Sequence, residues 1–93
     1  MRVEWDETKN RANERKHGVS FELAQDVFDD PLALSKFDRM EGGEERWHTL
    51  GIVEDVVLLL VTHTVRDDEG EEVIRIISAR KATARERRHY EQD

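Results

Sequence analysis

The stretch Val56-Val57-Leu58-Leu59-Leu60-Val61-Thr62-His63-Thr64-Val65 decides how this chain folds. Its apolar residues are consecutive rather than alternating, and most are β-branched or leucine. Such a run between polar turn signals predicts a central strand covered on both faces. Glu54-Asp55 supplies the tight turn before it, and Asp67-Asp68-Glu69-Gly70 the turn after it. Beyond that turn Val73–Ala79 is β-branched and predicts the last strand. On the other side Arg46–Val53 predicts a strand, and Glu41-Gly42-Gly43-Glu44 reads as a turn by its glycines. Leu34–Phe37 is a short candidate strand, and Val3–Trp5 is another. The expected sheet is antiparallel, with three to five strands.

Helices are expected on either side of this meander. Asp6–Lys16 has no interior Gly or Pro and predicts a short helix capped by Asp6. It ends at Gly18, just past His17, where a left-handed residue would close it. Ser20 is placed to cap a second helix, whose Phe21, Ala24, Val27 and Phe28 form one apolar stripe. Pro31 stops that helix. Thr83-Ala84-Arg85-Glu86 is a capping-box sequence opening a C-terminal helix. The predicted class is α+β: two N-terminal helices, a small antiparallel sheet and one C-terminal helix, in one domain over residues 1–93. The first and last helices should both cover the sheet and so lie close together.

Composition narrows the function. A chain of 93 residues buries roughly 65% of its unfolded surface, enough for one modest core and too little for a multi-domain enzyme. The chain has no cysteine, which excludes a disulfide scaffold. Hydrophobics make up 37% and sit in blocks, which argues against disorder. Val56–Val61 is the longest strongly apolar run, far short of the ~20 residues a membrane span needs. The opening Met1-Arg2-Val3-Glu4-Trp5-Asp6 has no apolar h-region of a secretory signal. The expectation is a cytoplasmic protein with no membrane partner.

Lys+Arg number 15 against 22 Asp+Glu, a formal charge of −7. The cations are segregated into Lys9, Arg11, Arg15 and Lys16 near the start, and Arg80, Lys81, Arg85, Arg87 and Arg88 near the end. Net charge opposes a polyanionic partner, and the two local basic patches offset it, because binding follows local potential. The same stretches also read as solvated helix faces.

The residues that can carry chemistry are few. His17, His48, His63 and His89 lack the spacing and the cysteine company of a zinc site, so no metal ligand set is expected. His63 stands near the end of the apolar strand, where an imidazole reaching a cleft can move protons near neutral pH. Its alternative is a satisfied core histidine. Arg75 interrupts Val73-Ile74-Arg75-Ile76-Ile77, and alternation puts it with Val73, Ile77 and Ala79. It needs an anionic partner, either a protein carboxylate or a bound phosphate. Arg46 beside Trp47 raises the same question. Alternation points Arg80 to the opposite face unless the strand end bulges. Tyr90 serves the core or a site. There is no glycine-rich phosphate loop, serine elbow or paired-carboxylate motif. Any catalysis must use Arg, Lys, His and Tyr.

Larger strings carry a family resemblance. Trp5-Asp6, Lys9, Asn10, Asn13 and Lys16-His17-Gly18-Val19-Ser20-Phe21 resemble the opening of the BrnT toxin family. Gly43-Glu44-Glu45-Arg46-Trp47 with Gly51 resembles its second block. Arg75-Ile76-Ile77-Ser78-Ala79-Arg80-Lys81-Ala82 with Glu86, Arg87 and Tyr90 resembles its last. The resemblance implies a RelE-like fold and a type II toxin that is a metal-independent endoribonuclease, uses no cofactor and blocks translation. It implies a BrnA-type ribbon-helix-helix antitoxin, a heterotetramer of two toxins and two antitoxins, and operator DNA bound only through the antitoxin. On that footing Arg46 and Arg75 are the phosphate clamps and Arg80 a further candidate. His63 is the proton-transfer residue, with Tyr90 or His17 as substitutes. Lys9, Lys16, His17, Arg85, Arg87 and Arg88 are the candidates for binding RNA or antitoxin on one shared basic surface. The alternative is a non-catalytic module that holds an antitoxin and helps repress an operon.

Overall fold

The computed structural model describes residues 1–92. The apolar run becomes β4 (Val57–Asp68), the middle strand of five. Its neighbours β3 (Glu44–Val53) and β5 (Glu71–Lys81) both run antiparallel to it. β2 (Leu34–Glu41) pairs antiparallel with β3 at one edge, and β1 (Arg2–Trp5) pairs parallel with β5 at the other. The sheet is therefore mixed, which corrects the antiparallel expectation. Parallel partners need a long connection, and here everything between β1 and β5 supplies it, so no local sequence signal announces the pairing.

Strand ends also differ. β2 runs on to Glu41 rather than Phe37, and β4 runs through Asp67-Asp68 to a turn at Glu69-Gly70. Both extensions are polar apart from Met40, and pairing with a neighbouring strand overrides their weak local propensity. The turn at Glu54-Asp55 is as expected: both residues have positive φ, 51° and 66°, as a type I′ hairpin turn requires.

Helix α1 (Glu7–His17) starts where Asp6 accepts from the Thr8 and Lys9 N–H groups, and it stops at Gly18 with φ 71°. Helix α2 (Phe21–Ala24) is a single turn capped by Ser20, continued by a 3₁₀ turn over Gln25–Asp29. The expected stripe still forms. Phe21, Ala24 and Val27 are buried against Val53, Leu59, Val61, Ile76 and Ala79. Gly51 makes this packing possible, because a Cβ there would stand 2.7 Å from Val27 Cβ and 3.0 Å from its carbonyl oxygen.

α1 has no apolar stripe; its buried residues are Asn10 and Asn13. The Asn10 side chain accepts from the Phe21 N–H at 2.8 Å and donates to Glu22 at 2.8 Å. Asn13 donates to the carbonyls of Val19 and Ala79 at 2.9 and 2.8 Å and accepts from the Ala79 N–H at 3.1 Å. β1 covers the edge of β5 only as far as Ile76, and Asn13 takes over at Ala79.

Helix α3 (Ala84–Glu91) opens with the expected capping box at Thr83 and Glu86. It lies on the other face of the sheet. Its Glu86 pairs with Arg80, and its Tyr90 hydroxyl donates to Asp30. We call the side carrying α1 and α2 the helix face, and the other the open face. The two basic helices thus stand on opposite sides of the sheet, which corrects the expectation that they form one surface.

Two substitutions test this frame. Asn13→Ala leaves three backbone groups without their partner and should lower stability by about 2–4 kcal/mol, read as a lower urea midpoint with unchanged slope. Gly51→Ala forces Val27 away from β3 and should lower stability by about 1–3 kcal/mol. An unchanged midpoint would show that the 3₁₀ turn yields freely.

Candidate active site

Strand register arranges the open face in rows. One row crosses the sheet as Glu4, Arg75, Thr64, Arg46 and Arg39. The next, toward α3, is Ser78, Thr62, His48 and Lys36. Neighbours within such rows have Cβ atoms roughly 5 Å apart, so guanidinium, hydroxyl and imidazole groups share one patch.

The patch is organised around shared carboxylates. Glu4 Oε2 accepts from Arg75 at 3.0 Å and from Arg66 at 3.3 Å. The Arg66 hydrogen bond does most to hold the Glu4 carboxyl below its ordinary range, with Arg75 adding to it against burial. On the other side, Arg46 Nε stands 3.0 Å from Glu41 Oε2 but out of line for a hydrogen bond. Arg46 Nε and Thr64 Oγ1 are the two buried side-chain polar atoms without a hydrogen bond among the described residues. They belong to directly paired residues. Orphaned buried polar atoms are rare and call for an explanation; these two stand side by side in the row that also holds Arg75.

A bulge brings Arg80 to this face. Thr62 pairs with Ser78 and His63 with Ile76, leaving Ile77 as the extra residue. The alternation therefore shifts phase, and Ala79 joins the core while Arg80 turns to the open side. This corrects the grouping of Arg75 with Ala79. Arg80 is fully engaged with Glu86, at 2.8 and 2.9 Å, and this pairing holds Glu86 down to about 2. Tyr90 donates to Asp30 at 2.6 Å, and burial together with that bond pushes the phenol up to about 12. Arg80 and Tyr90 thus pin the two ends of α3.

His63 lies on the helix face, 3% exposed. Its Nε2 is 2.7 Å from Thr49 Oγ1, and its ring meets Phe28 edge-on at 4.9 Å. Burial pushes it down to about 4. The strand period of two sends it to the other side of the sheet from Thr62 and Thr64, away from the arginines of the open face.

The remaining basic residues are dispersed. Lys9, Lys16 and His17 line a groove of about 240 Å³ against Ile77 and Ser78. Arg85, Arg87 and Arg88 are exposed on α3, with Arg87 reaching Glu91 at 3.7 Å. Sequence reasoning missed three members of the open face: Arg66, Thr64 and His48. Alternation from Arg46 signals His48, and alternation from Thr64 signals Arg66, once the register is known. Beside them a groove of about 480 Å³ under α3 is lined by His48, Leu50, Leu60, Glu86 and His89, among others.

Residues 5–86 match the family model described as "Ribonuclease toxin, BrnT, of type II toxin-antitoxin system". The chain belongs to the BrnT toxin family. The crystal structure of the Brucella abortus ribonuclease toxin BrnT is similar, with a TM-score of 0.63 at 25% identity over 89% of this chain and 97% of that one. No curated protein matches in sequence. A toxin of a type II system implies an antitoxin partner. Among the described residues no helix is long and apolar enough to cross a membrane.

The buried imidazole generates a pH prediction. His63 is neutral in the fold down to about pH 4, whereas an unfolded histidine takes a proton near 6.5. Between those values the unfolded state binds more protons, so stability falls as pH drops through that window, by at most roughly 3 kcal/mol. His63→Gln should flatten this dependence when urea midpoints are compared at pH 7 and pH 5. An equal loss in both proteins would mean that His63 titrates normally.

Proposed function

We propose that the open face is a ribonuclease site and that this toxin cleaves RNA without a metal ion. The orphaned pair Arg46 Nε and Thr64 Oγ1, in the row that also holds Arg75, is the observation that carries it. Arg46 and Arg75 clamp the scissile phosphate from either side of Thr64, since a planar guanidinium matches two phosphate oxygens. The 2′-hydroxyl gives up its proton and attacks the adjacent phosphorus, the bond from phosphorus to the 5′-oxygen breaks, and that oxygen leaves with a proton, while the arginines stabilise the charge that builds on the phosphoryl oxygens. His48, half-exposed in the next row with Nε2 3.9 Å from Asp38, is the imidazole placed to move the proton. His63 is sealed on the other face and takes no part.

The groove beneath α3 takes the base of a flanking nucleotide between His48 and the side chains of Leu50 and Leu60. Arg85, Arg87 and Arg88 extend the backbone track along α3, while Lys9, Lys16 and His17 belong to the helix that packs on the opposite face and lie outside it. Metal independence rests on the family resemblance, with arginine and histidine side chains offered for the chemistry. The family resemblance supports the remaining parts of the reading: a RelE-like toxin that blocks translation, neutralised by a BrnA-type ribbon-helix-helix antitoxin in a two-plus-two complex that reaches operator DNA through the antitoxin.

Antitoxin-free protein should cleave RNA in the presence of EDTA. Arg46→Ala and Arg75→Ala should each lower the rate by about 10²–10³, and His48→Gln by about 10²–10⁴, with circular dichroism unchanged. Rates within twofold of wild type would remove these residues from the site. No cleavage of any RNA, free or on ribosomes, would leave the chain as an antitoxin-binding module.

A further inference from the structure

The helix face is only partly covered. α2 and the 3₁₀ turn lie over Gly51, Val53, Leu59 and Val61 and stop at Phe28 over His63. Beyond them the sheet continues for about four residues per strand, roughly 13 Å. That is about the width of one helix with its side chains. Three of the five exposed large apolar side chains, Met1, Phe37 and Met40, belong to this bare end or its rim, at 62, 46 and 58% exposure. Phe37 packs edge-on against Trp47 at 5.6 Å. Trp47, Val65 and Ile74 line a cavity of about 270 Å³ with Met1, Phe28 and His63.

The rim is acidic. Trp47 Nε1 donates to Glu45 at 3.0 Å, which places that carboxylate beside the ring. Glu45, Asp67 and Glu72 edge an adjoining hollow of about 250 Å³. The one cation lining that hollow, Arg66, directs its guanidinium to Glu4 on the open face. Apolar patches rimmed by polar residues mark interaction sites, and an acidic rim selects a basic partner. A second copy of this chain would bring a like-charged rim, and the chain as a whole carries −7.

We propose that the bare end of the helix face docks a basic amphipathic helix of the antitoxin, its apolar side on Phe37, Met40 and Trp47 and its cations on Glu45 and Glu72. The proposal rests on the toxin–antitoxin reading, which supplies the partner, and not on the ribonuclease site. Docking here adds the missing helix to the layer that α1 and α2 begin. It leaves the arginine face uncovered, so this contact anchors the antitoxin without itself occluding RNA.

Titration of the cognate antitoxin into purified toxin tests the assignment. Phe37→Ser with Met40→Ser should weaken binding at least 100-fold. Glu45→Lys with Glu72→Lys should slow association at least 10-fold at low salt, with a smaller difference at high salt. Hydrogen exchange of the complex should show new protection in residues 36–47 and 64–74. RNA cleavage by the antitoxin-free double variants should match wild type, which separates loss of docking from failure of the nuclease. Wild-type affinity in both variants, or protection confined to the arginine face, overturns the proposal. So does sedimentation showing that toxin alone dimerises and that Phe37→Ser with Met40→Ser abolishes only the dimer.

Discussion

The three hydrogen bonds of Asn13 hold the two layers in register. One side chain binds the loop before α2 through Val19 and replaces a missing strand at Ala79. Without it, the edge of β5 beyond Ile76 would present bare backbone groups, and exposed edges invite wrong pairing. α1 has little apolar surface to bury, so polar anchors do what a hydrophobic stripe does elsewhere. A buried amide satisfied on both its oxygen and its nitrogen also fixes direction, which a leucine would not. The position of α1 fixes where the chain turns at Gly18, and hence where Phe21, Ala24 and Val27 enter the core.

That anchor sits just past the β5 bulge, and together they explain the sidedness of the molecule. Up to Ile76, β5 is paired on both edges. At Ile77 one residue is inserted, the strand twists, and the phase of its side chains shifts. Ala79 can then face α1 and be held by Asn13, while Arg80 faces α3 and binds Glu86. One inserted residue thus places a core alanine and a helix-pinning arginine on opposite sides of the sheet. The same face that receives Arg80 already holds Arg75 and Arg46.

Much of this was legible in the sequence, for physical reasons that can be named. Caps and turns are local, so Asp6, Gly18, Ser20, Glu54-Asp55 and Thr83 could be read from their own neighbourhoods. The family could be read too, because its strings run through the chain from Trp5 to Tyr90. The faces were not legible. A strand period of two assigns a side only relative to a neighbour, and the neighbour's register is a long-range property. His63 looked catalytic because it ends an apolar run, yet its partners Thr49 and Phe28 come from elsewhere in the chain. His48 and Thr64 lacked distinction until β3, β4 and β5 were set side by side. The parallel β1 pairing was hidden for the same reason, and with it the fact that Glu4 faces both Arg66 and Arg75.

This pairing bears on the proposed ribonuclease reading, which asks a chain of net charge −7 to admit RNA. The arginines of the open face are not bare. Arg66 and Arg75 share Glu4, Arg80 is matched by Glu86, and Arg46 stands near Glu41. A phosphate entering this patch must compete with carboxylates already in place. The contest is unequal at each arginine. Glu86 binds Arg80 through two bonds and also caps α3, so it is costly to displace. Glu4 divides one carboxylate between two guanidiniums, and Arg46 Nε has no hydrogen bond to lose. Guanidinium donors are therefore available at Arg75 and Arg46 and committed at Arg80. The ion pairs keep the arginines ordered on an acidic protein, and on the proposed ribonuclease reading their unequal strengths decide where a phosphate would enter.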